Sequence, residues 1–474
     1  MQVNTRRTRI VCTLGPSSDS QEQLQALLDR GMDVARLNLS HGSHEHHREV
    51  VSRLRQLSPD TPVLLDLQGP KIRVGRMRDG VQSVRAGEQV RFTAENVEGD
   101  ATRIPIDYPA LADDVLEGNT LLLDDGLLEF RVEAVDGGDV LARVVVGGPL
   151  KSRKGVNLPD VRTSLSALSE KDLQDLAFAA DVGVEFIAMS FVRSATDVQD
   201  LLQRTRELGS SAAIIAKIEK PEALQDIDAI IAVADGIMIA RGDLGIEMAS
   251  EQLPLIQKDL IERCRRASKP VITATQMLES MISNPRPTRA ESSDVANAVL
   301  DGSDALMLSG ETAAGQYPIE AVATMDRICR SVEGNTAKVY HNLGFLTPVR
   351  EEKKVIEALS YSCVSMARDT RARAIATITH SGKTAQRIAK YRPDVPIIAF
   401  TESQEVLRQL QLVWGVTAIK LEELFDTDRS LRLMEDFLKS EGIVKAGDRV
   451  VMATGIPVAK RGRTNMVTIA SIAD

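Results

Sequence analysis

Two carboxylates, Glu219 in "AKIE" and Asp243 in "ARGD", close apolar runs with no His or Cys patterned to share a metal with them. Such a pair suits a hard divalent ion, Mg²⁺ or Mn²⁺, which keeps several waters and takes phosphate oxygens into its shell. Cations occupy comparable positions: Arg36 in "ARLNLS", Arg73 in "QGPKIR", Lys154 in "KSRKGVNLP" and Lys217 in "AKIE". Residues two apart in a strand share a face, so Arg36, Asn38 and Ser40 point one way, as do Lys217 and Glu219. Gly242 allows close backbone approach to a ligand, and N–H groups of a helix start after it suit a carboxylate. "TATQ" adds Thr275, and "LSGE" adds Ser309 and Glu311. A divalent metal, several cations and few bases describe phosphoryl transfer, where positioning and charge neutralisation dominate. The pattern alone names no substrate.

Eight runs must position these groups: "RIVCTLG", "VARLNLS", "VLLDL", "FIAMSFV", "AIIAKIE", "GIMIARGD", "PVITATQ" and "ALMLSGE". They are almost wholly apolar until their last residues, as strands covered on both faces should be. Segments such as "SQEQLQALLDRG" and "EKDLQDLAFAADVG" between them have helical spacing, a cap and a closing Gly. Eight βα units predict a (β/α)8 barrel whose active site lies at the C-terminal strand ends. The alternation breaks over residues 70–159, where period-two runs such as "VQSVRAGEQVRFTAENV" alternate with turn signals. These predict an inserted antiparallel β-barrel domain, placed to act as a lid that excludes water. The barrel is then assigned to 1–69 and 160–340. Residues 341–474 read as a separate open α/β domain, with strands "AIATIT", "PIIAFT", "DRVVMAT" and "NMVTIAS".

Composition agrees with a multi-domain globular protein. The 474 residues are 43% hydrophobic and 26% charged. A net charge of −9 argues against nucleic acid as a partner. No apolar run approaches the ~20 residues of a membrane helix. The basic start, "MQVNTRRTRIVCTLGP", has too short an apolar stretch for a signal peptide, so a cytoplasmic location is expected. Cys12, Cys264, Cys329 and Cys363 lie far apart and read as buried thiols. "HGSHEHHRE" holds four of the six histidines and reads as a solvated helix face rather than a zinc site.

The motifs "ARLNLSHG", "QGPKIR", "SRKGVNLP", "AKIE", "IARGDLGIE", "TATQMLESM", "NPRPTRAE" and "MLSGETAAGQYP" follow one another in an order that resembles pyruvate kinase across essentially the whole chain. The resemblance implies transfer of the phosphoryl group of phosphoenolpyruvate to ADP in glycolysis, with protonation of the enolate to pyruvate. It implies Glu219 and Asp243 as metal ligands and Lys217 as the charge on the group in flight. Gly242, Asp243 and Thr275 would hold the substrate carboxylate. Arg36, Asn38, Arg73 and Lys154 would meet substrate phosphates, with His41 near the nucleotide. Thr275, or water linked to Ser309 and Glu311, would supply the proton. A homotetramer is implied as well. Two other readings stand beside it: a carbon–carbon lyase passing through the same enolate, which would need neither Lys154 nor ADP, and a catalytically dead barrel acting as a sugar-phosphate sensor.

Two segments carry finer expectations. "DLQGPKIRV" is similar to the potassium-independent branch of the family, where potassium users resemble "DTKGPEIRT". Lys71 would stand in for the monovalent cation, close to Asp66, so that K⁺ is not required, while Arg73 faces phosphate. "SGKT" at 381–384 lacks the first Gly of a P-loop, since Thr377 stands there. It still sits between a strand and a helix, where N–H and hydroxyl donors form an anion nest. Ser381, Lys383 and Thr384 are therefore expected to contact a phosphorylated activator, a sugar phosphate or nucleotide, as the resemblance also implies. Arg461 and Arg463 in "GIPVAKRGRTN" are further candidates. The role of Arg241 stays open.

Overall fold

The computed structural model describes residues 6–335, 355–422, 427–456 and 464–473. All eight expected runs are parallel strands of one closed barrel. In sequence order these are Arg9–Thr13, Val34–Asn38, Val63–Asp66, Phe186–Met189, Ala213–Ile218, Gly236–Ala240, Val271–Ala274 and Ala305–Leu308, the last pairing with the first. Val11, Val34, Leu64, Phe186, Ile215, Met238, Ile272 and Met307 are buried together in one core cluster. The outer helices start and stop where local chemistry dictates. Thr288 and Glu291 form a reciprocal cap at the head of Arg289–Asp301, and Gly302 ends that helix in the left-handed region, at φ 100°.

The inserted segment lies between the third and fourth barrel strands. Where a wholly antiparallel barrel was expected, the chain forms two sheets. One pairs Val81–Val84 with Gly148–Lys151. The other has six strands, with Val156–Asn157 at one edge and Arg103–Pro105 at the other. Pairing is antiparallel except between Gln89–Thr93 and Arg103–Pro105. The nine-residue excursion between those two strands returns the chain in the same direction, which an alternation-and-turn reading does not foresee.

The C-terminal block is an open sheet in the order Val416–Lys420, Ile397–Thr401, Ala374–Ile378, Arg449–Thr454, Met466–Ser471, parallel except for its last strand. The expected boundary near residue 340 lies outside the described residues. This block docks on the N-terminal face of the barrel, opposite the mouth. Leu412 joins the barrel's interior cluster. Arg9, at the start of the first strand, donates to Val413 O at 3.1 Å, and Arg392 pairs with Asp304 at 3.1 Å. All four cysteines are buried free thiols.

Candidate active site

The polar ends of the second to fifth strands form a single run of alternating charge. Arg36 donates Nε to Asp66 Oδ2 at 2.8 Å and Nη1 to Thr13 Oγ1 at 2.7 Å. Lys217 Nζ lies 3.1 Å from Asp66 Oδ1, 2.8 Å from Glu219 Oε1 and 2.6 Å from Ser190 Oγ. Asp66 and Glu219 are 1% and 2% exposed, so none of these charges is solvated as a surface pair would be.

Burial opposes each charge, and the partners decide the outcome. At Asp66 burial pushes the carboxyl up, but Lys217 and Arg36 together hold it below its ordinary range. At Lys217 burial pulls the ammonium down, but Asp66 and Glu219 outweigh it and raise its pKa. Glu219 goes the other way: burial, reinforced by the charge of Asp243, raises it despite Lys217 and the Phe191 N–H. A buried acid whose ionisation is disfavoured by a second carboxylate is the place where a divalent cation would be most welcome. Glu219 Oε2 is aimed by the Phe191 amide at 2.7 Å, and Phe191 holds φ 55°. Among the described residues no group of three or more His, Cys, Asp or Glu is arranged for a metal.

Thr275 and Gln276, just beyond the seventh strand, also lie at positive φ, 70° and 55°. Left-handed backbone at non-Gly residues costs about 1–3 kcal/mol each and persists only where its surroundings enforce it. Arg241 enforces it here. Its Nη2 donates to Thr275 O at 2.9 Å while the guanidinium is anchored on Asp294 at 2.7 Å. That answers the open question about Arg241: it is bound to the Thr275 backbone. Gly242 N donates to Thr275 Oγ1 at 2.7 Å, and a Cβ on Gly242 would sit 3.3 Å from that oxygen. The two groups expected to share a carboxylate are therefore adjacent.

Other expected residues are more scattered. Glu311 is wholly buried, with Oε1 accepting from Leu278 N at 3.1 Å and Oε2 from Ser309 N at 2.7 Å. Asn38 Oδ1 accepts from Ser40 N at 3.0 Å. His41 is exposed at the end of this turn. Its neighbours His44 and His46 bind separate acids, Asp175 at 2.7 Å and Asp19 at 3.1 Å. Arg73 and Lys154 lie on the adjoining segments where the chain enters and leaves the lid; Arg73 bridges to Gly155, and Lys154 pairs with Asp124 at 2.7 Å inside the lid.

Lys71 lines a pocket with Phe191, Arg193, Lys220 and Asp243. Its Cε lies 3.3 Å from where a Cβ on Gly155 would be, so that glycine makes room for it. Asp66 is paired with Arg36 and Lys217, and no ion pair joins it to Lys71.

In the C-terminal sheet, Gly382 at φ 75° opens the helix Lys383–Ala389. Ser381 and Lys383 are exposed, while Thr384 is buried with Oγ1 2.7 Å from Thr464 Oγ1. Arg461 and Arg463 lie outside the described residues.

Sequence reasoning missed Thr13, Ser190, Lys220, Asn157 and Glu247. Lys220 directly follows Glu219 and Ser190 follows "FIAM", so a stricter reading of strand ends finds both. The other three depend on contacts between distant segments.

A closed (β/α)8 barrel, a lid inserted after its third strand, and a buried run of cations and acids at its mouth define a phosphotransferase-like barrel enzyme. The family model "Pyruvate kinase, barrel domain" matches residues 5–322, and "Pyruvate kinase, alpha/beta domain" matches residues 357–470. A pyruvate kinase of Geobacillus stearothermophilus is 46% identical over 99% of this chain and 81% of its own length. One of Mycobacterium tuberculosis is 44% identical over 99% of both. The crystal structure of a pyruvate kinase from Cryptosporidium parvum superposes with a TM-score of 0.93 at 39% identity, covering 99% of this chain and 97% of that one. The chain belongs to the pyruvate kinase family and is a phosphotransferase.

Proposed function

We propose that this enzyme transfers the phosphoryl group of phosphoenolpyruvate to ADP, giving ATP and pyruvate, through the groups gathered at the barrel mouth. The observation that carries the reading is the buried run Arg36–Asp66–Lys217–Glu219, with Asp243 beside it. Glu219 and Asp243 are the fitting ligands for Mg²⁺ or Mn²⁺, which when bound would neutralise phosphate oxygens. Lys217, fixed by three partners, presents a preorganised positive charge to the group in transfer. The Gly242 and Asp243 amides and the Thr275 hydroxyl turn to the substrate carboxylate when it arrives, giving up the Gly242 N–H bond to Thr275 Oγ1 and the Thr275 hydroxyl bond to Ala274 O, with Arg241 holding the Thr275 backbone in place. Arg36 supports the phosphate end through Asp66, and Arg73 and Lys154 meet nucleotide phosphates when the lid is down, beside Asn38 and His41. Both oxygens of Glu311 are occupied by backbone N–H groups. This favours Thr275, or water held by it, as the proton source, with Glu311 and Ser309 shaping the loop that follows the eighth strand. Manganese titration of the unliganded protein tests the ligand pair. Glu219→Gln should weaken Mn²⁺ binding at least about tenfold, as loss of a charged ligand does. Unchanged affinity would remove Glu219 from the metal site.

Lys71 supplies the charge that potassium gives elsewhere: it lines the pocket shared with Asp243, and no acid pairs with it among the described ion pairs. The domain limits are proposed as 1–69 with 160–340, 70–159, and 341–474. The assembly is proposed to be a cytoplasmic homotetramer serving glycolysis. No helix among the described residues is long and apolar enough to cross a membrane.

The loop Ser381–Thr384 binds a phosphorylated activator, a sugar phosphate or a nucleotide. The exposed Ser381 and Lys383 support this, as does the left-handed Gly382 at the start of the helix. Lys383→Glu should abolish activation while leaving maximal turnover within about twofold, because the loop lies on a different domain from the mouth. If sugar phosphates and nucleotides leave the half-saturation of the unmutated enzyme unshifted, the loop is only a helix cap.

A further inference from the structure

Glu247 closes the short helix Arg241–Glu247, whose first turn carries Gly242 and Asp243. Its side chain is 2% exposed, and one of its oxygens does two things. Oε1 pairs with Lys220 Nζ at 2.5 Å and accepts from Asn157 Nδ2 at 2.8 Å. Lys220 is the residue after Glu219, beyond the end of the fifth barrel strand. Asn157 belongs to the lid, on the strand Val156–Asn157, where it pairs with Leu122. The same lid strand follows Lys154 by two residues. The two parts also come close at a second point, where the Ile246 Cγ2 methyl lies 3.8 Å from the position a Cβ would take on lid residue Gly126. One carboxylate oxygen thus joins the lid, the loop bearing Glu219 and the helix bearing Asp243.

We propose that Glu247 is a positioning residue that latches the lid onto the acid-bearing side of the barrel mouth through Asn157, with Lys220 as the fixed charge that aims it. Both hydrogen bonds are charge-assisted and partly shielded from water, which strengthens them relative to a surface pair. The Lys220–Glu247 bond lies within the barrel portion and can persist when the lid moves. The Asn157 bond spans the two parts and must break if the lid swings away. The latch therefore biases the lid towards the pose in which its Val156–Asn157 strand, and with it the segment carrying Lys154, is held against the barrel rim. Glu247 acts through other residues and touches no reacting atom.

The inference rests on the proposed role of the lid in nucleotide binding, so its test includes a readout that needs no turnover. In unliganded protein, Asn157→Ala should speed amide hydrogen exchange about fivefold in the segments 71–74 and 154–158, with the barrel strands unchanged. In steady-state assays it should raise KM for ADP by about five- to tenfold, with KM for phosphoenolpyruvate within about twofold. Glu247→Gln keeps an acceptor oxygen but loses the charge that Lys220 holds in place, and should give an exchange effect between those of the unmutated protein and Asn157→Ala. Glu247→Leu should reproduce the full Asn157→Ala effect on exchange, and combining the two should add little, because they remove one bond. Normal exchange in Asn157→Ala would overturn the latch whatever the kinetics. So would independent, multiplying effects in the double variant, or equal losses at both substrates, which mark a general structural defect.

Discussion

Lys217→Met should lower turnover from phosphoenolpyruvate to ATP by at least about 100-fold, the cost of removing one preorganised charge from the group in transfer. The expectation follows from geometry. The ammonium is held at 3.1, 2.8 and 2.6 Å by Asp66, Glu219 and Ser190, and its charge is reinforced by both acids. It needs no reorganisation when charge develops on the phosphoryl oxygens. Removing it also leaves two buried carboxylates less compensated, so some stability should be lost. Arg36 still serves Asp66, and a divalent ion would partly relieve Glu219. The variant should therefore fold, with a lowered melting temperature that Mn²⁺ raises. Exchange of the methyl protons of pyruvate with solvent should survive better than phosphoryl transfer, since it requires only the enolate and the proton source. Single-turnover phosphoryl transfer within tenfold of the unmutated rate would take Lys217 out of the mechanism.

Lys71→Glu should reduce activity by at least about tenfold in tetramethylammonium buffer, and potassium should restore part of the loss. Lys71 lines the pocket that also contains Asp243 and Lys220, and its stem packs where Gly155 leaves space. A tethered ammonium is present at high effective concentration and needs no ion to be captured. Reversing its sign places a second acid near Asp243 and recreates the need for a free cation. Asn38, Ser40 and Asp66 remain to help hold one. A variant equally active in both buffers would show that Lys71 is a solvated charge beside the hinge.

Much of this architecture was legible because burial on both faces leaves a plain signature. The runs "FIAMS", "AIIAKIE" and "ALMLSGE" change from apolar to polar where the barrel core gives way to its mouth, and the structure ends their strands there. Glu219, Asp243, Lys217 and Thr275 could be placed on one rim from that change alone. The lid was less legible. Its strand pair Gln89–Thr93 and Arg103–Pro105 is parallel, and direction is not written in a period-two pattern. Side-chain partners were the least legible. That Asp66 belongs to Arg36 and Lys217, that both oxygens of Glu311 serve backbone amides, and that Asn157 reaches Glu247 90 residues later all depend on how loops meet in space. Arg241 illustrates the same limit. From the sequence it was one more cation at a strand end, and only the left-handed Thr275 beside it shows what the guanidinium holds.

The most direct test of the account is the initial rate of pyruvate and ATP formation by the unmutated protein with phosphoenolpyruvate, ADP and Mg²⁺. It is measured in tetramethylammonium and in potassium buffers of equal ionic strength. A site whose charges come from its own side chains and one divalent ion predicts pyruvate and ATP in equal amounts. It also predicts no product without ADP or Mg²⁺, and rates within about twofold of each other in the two buffers. Pyruvate formed without ADP, or a rate that collapses in the absence of potassium, would contradict it.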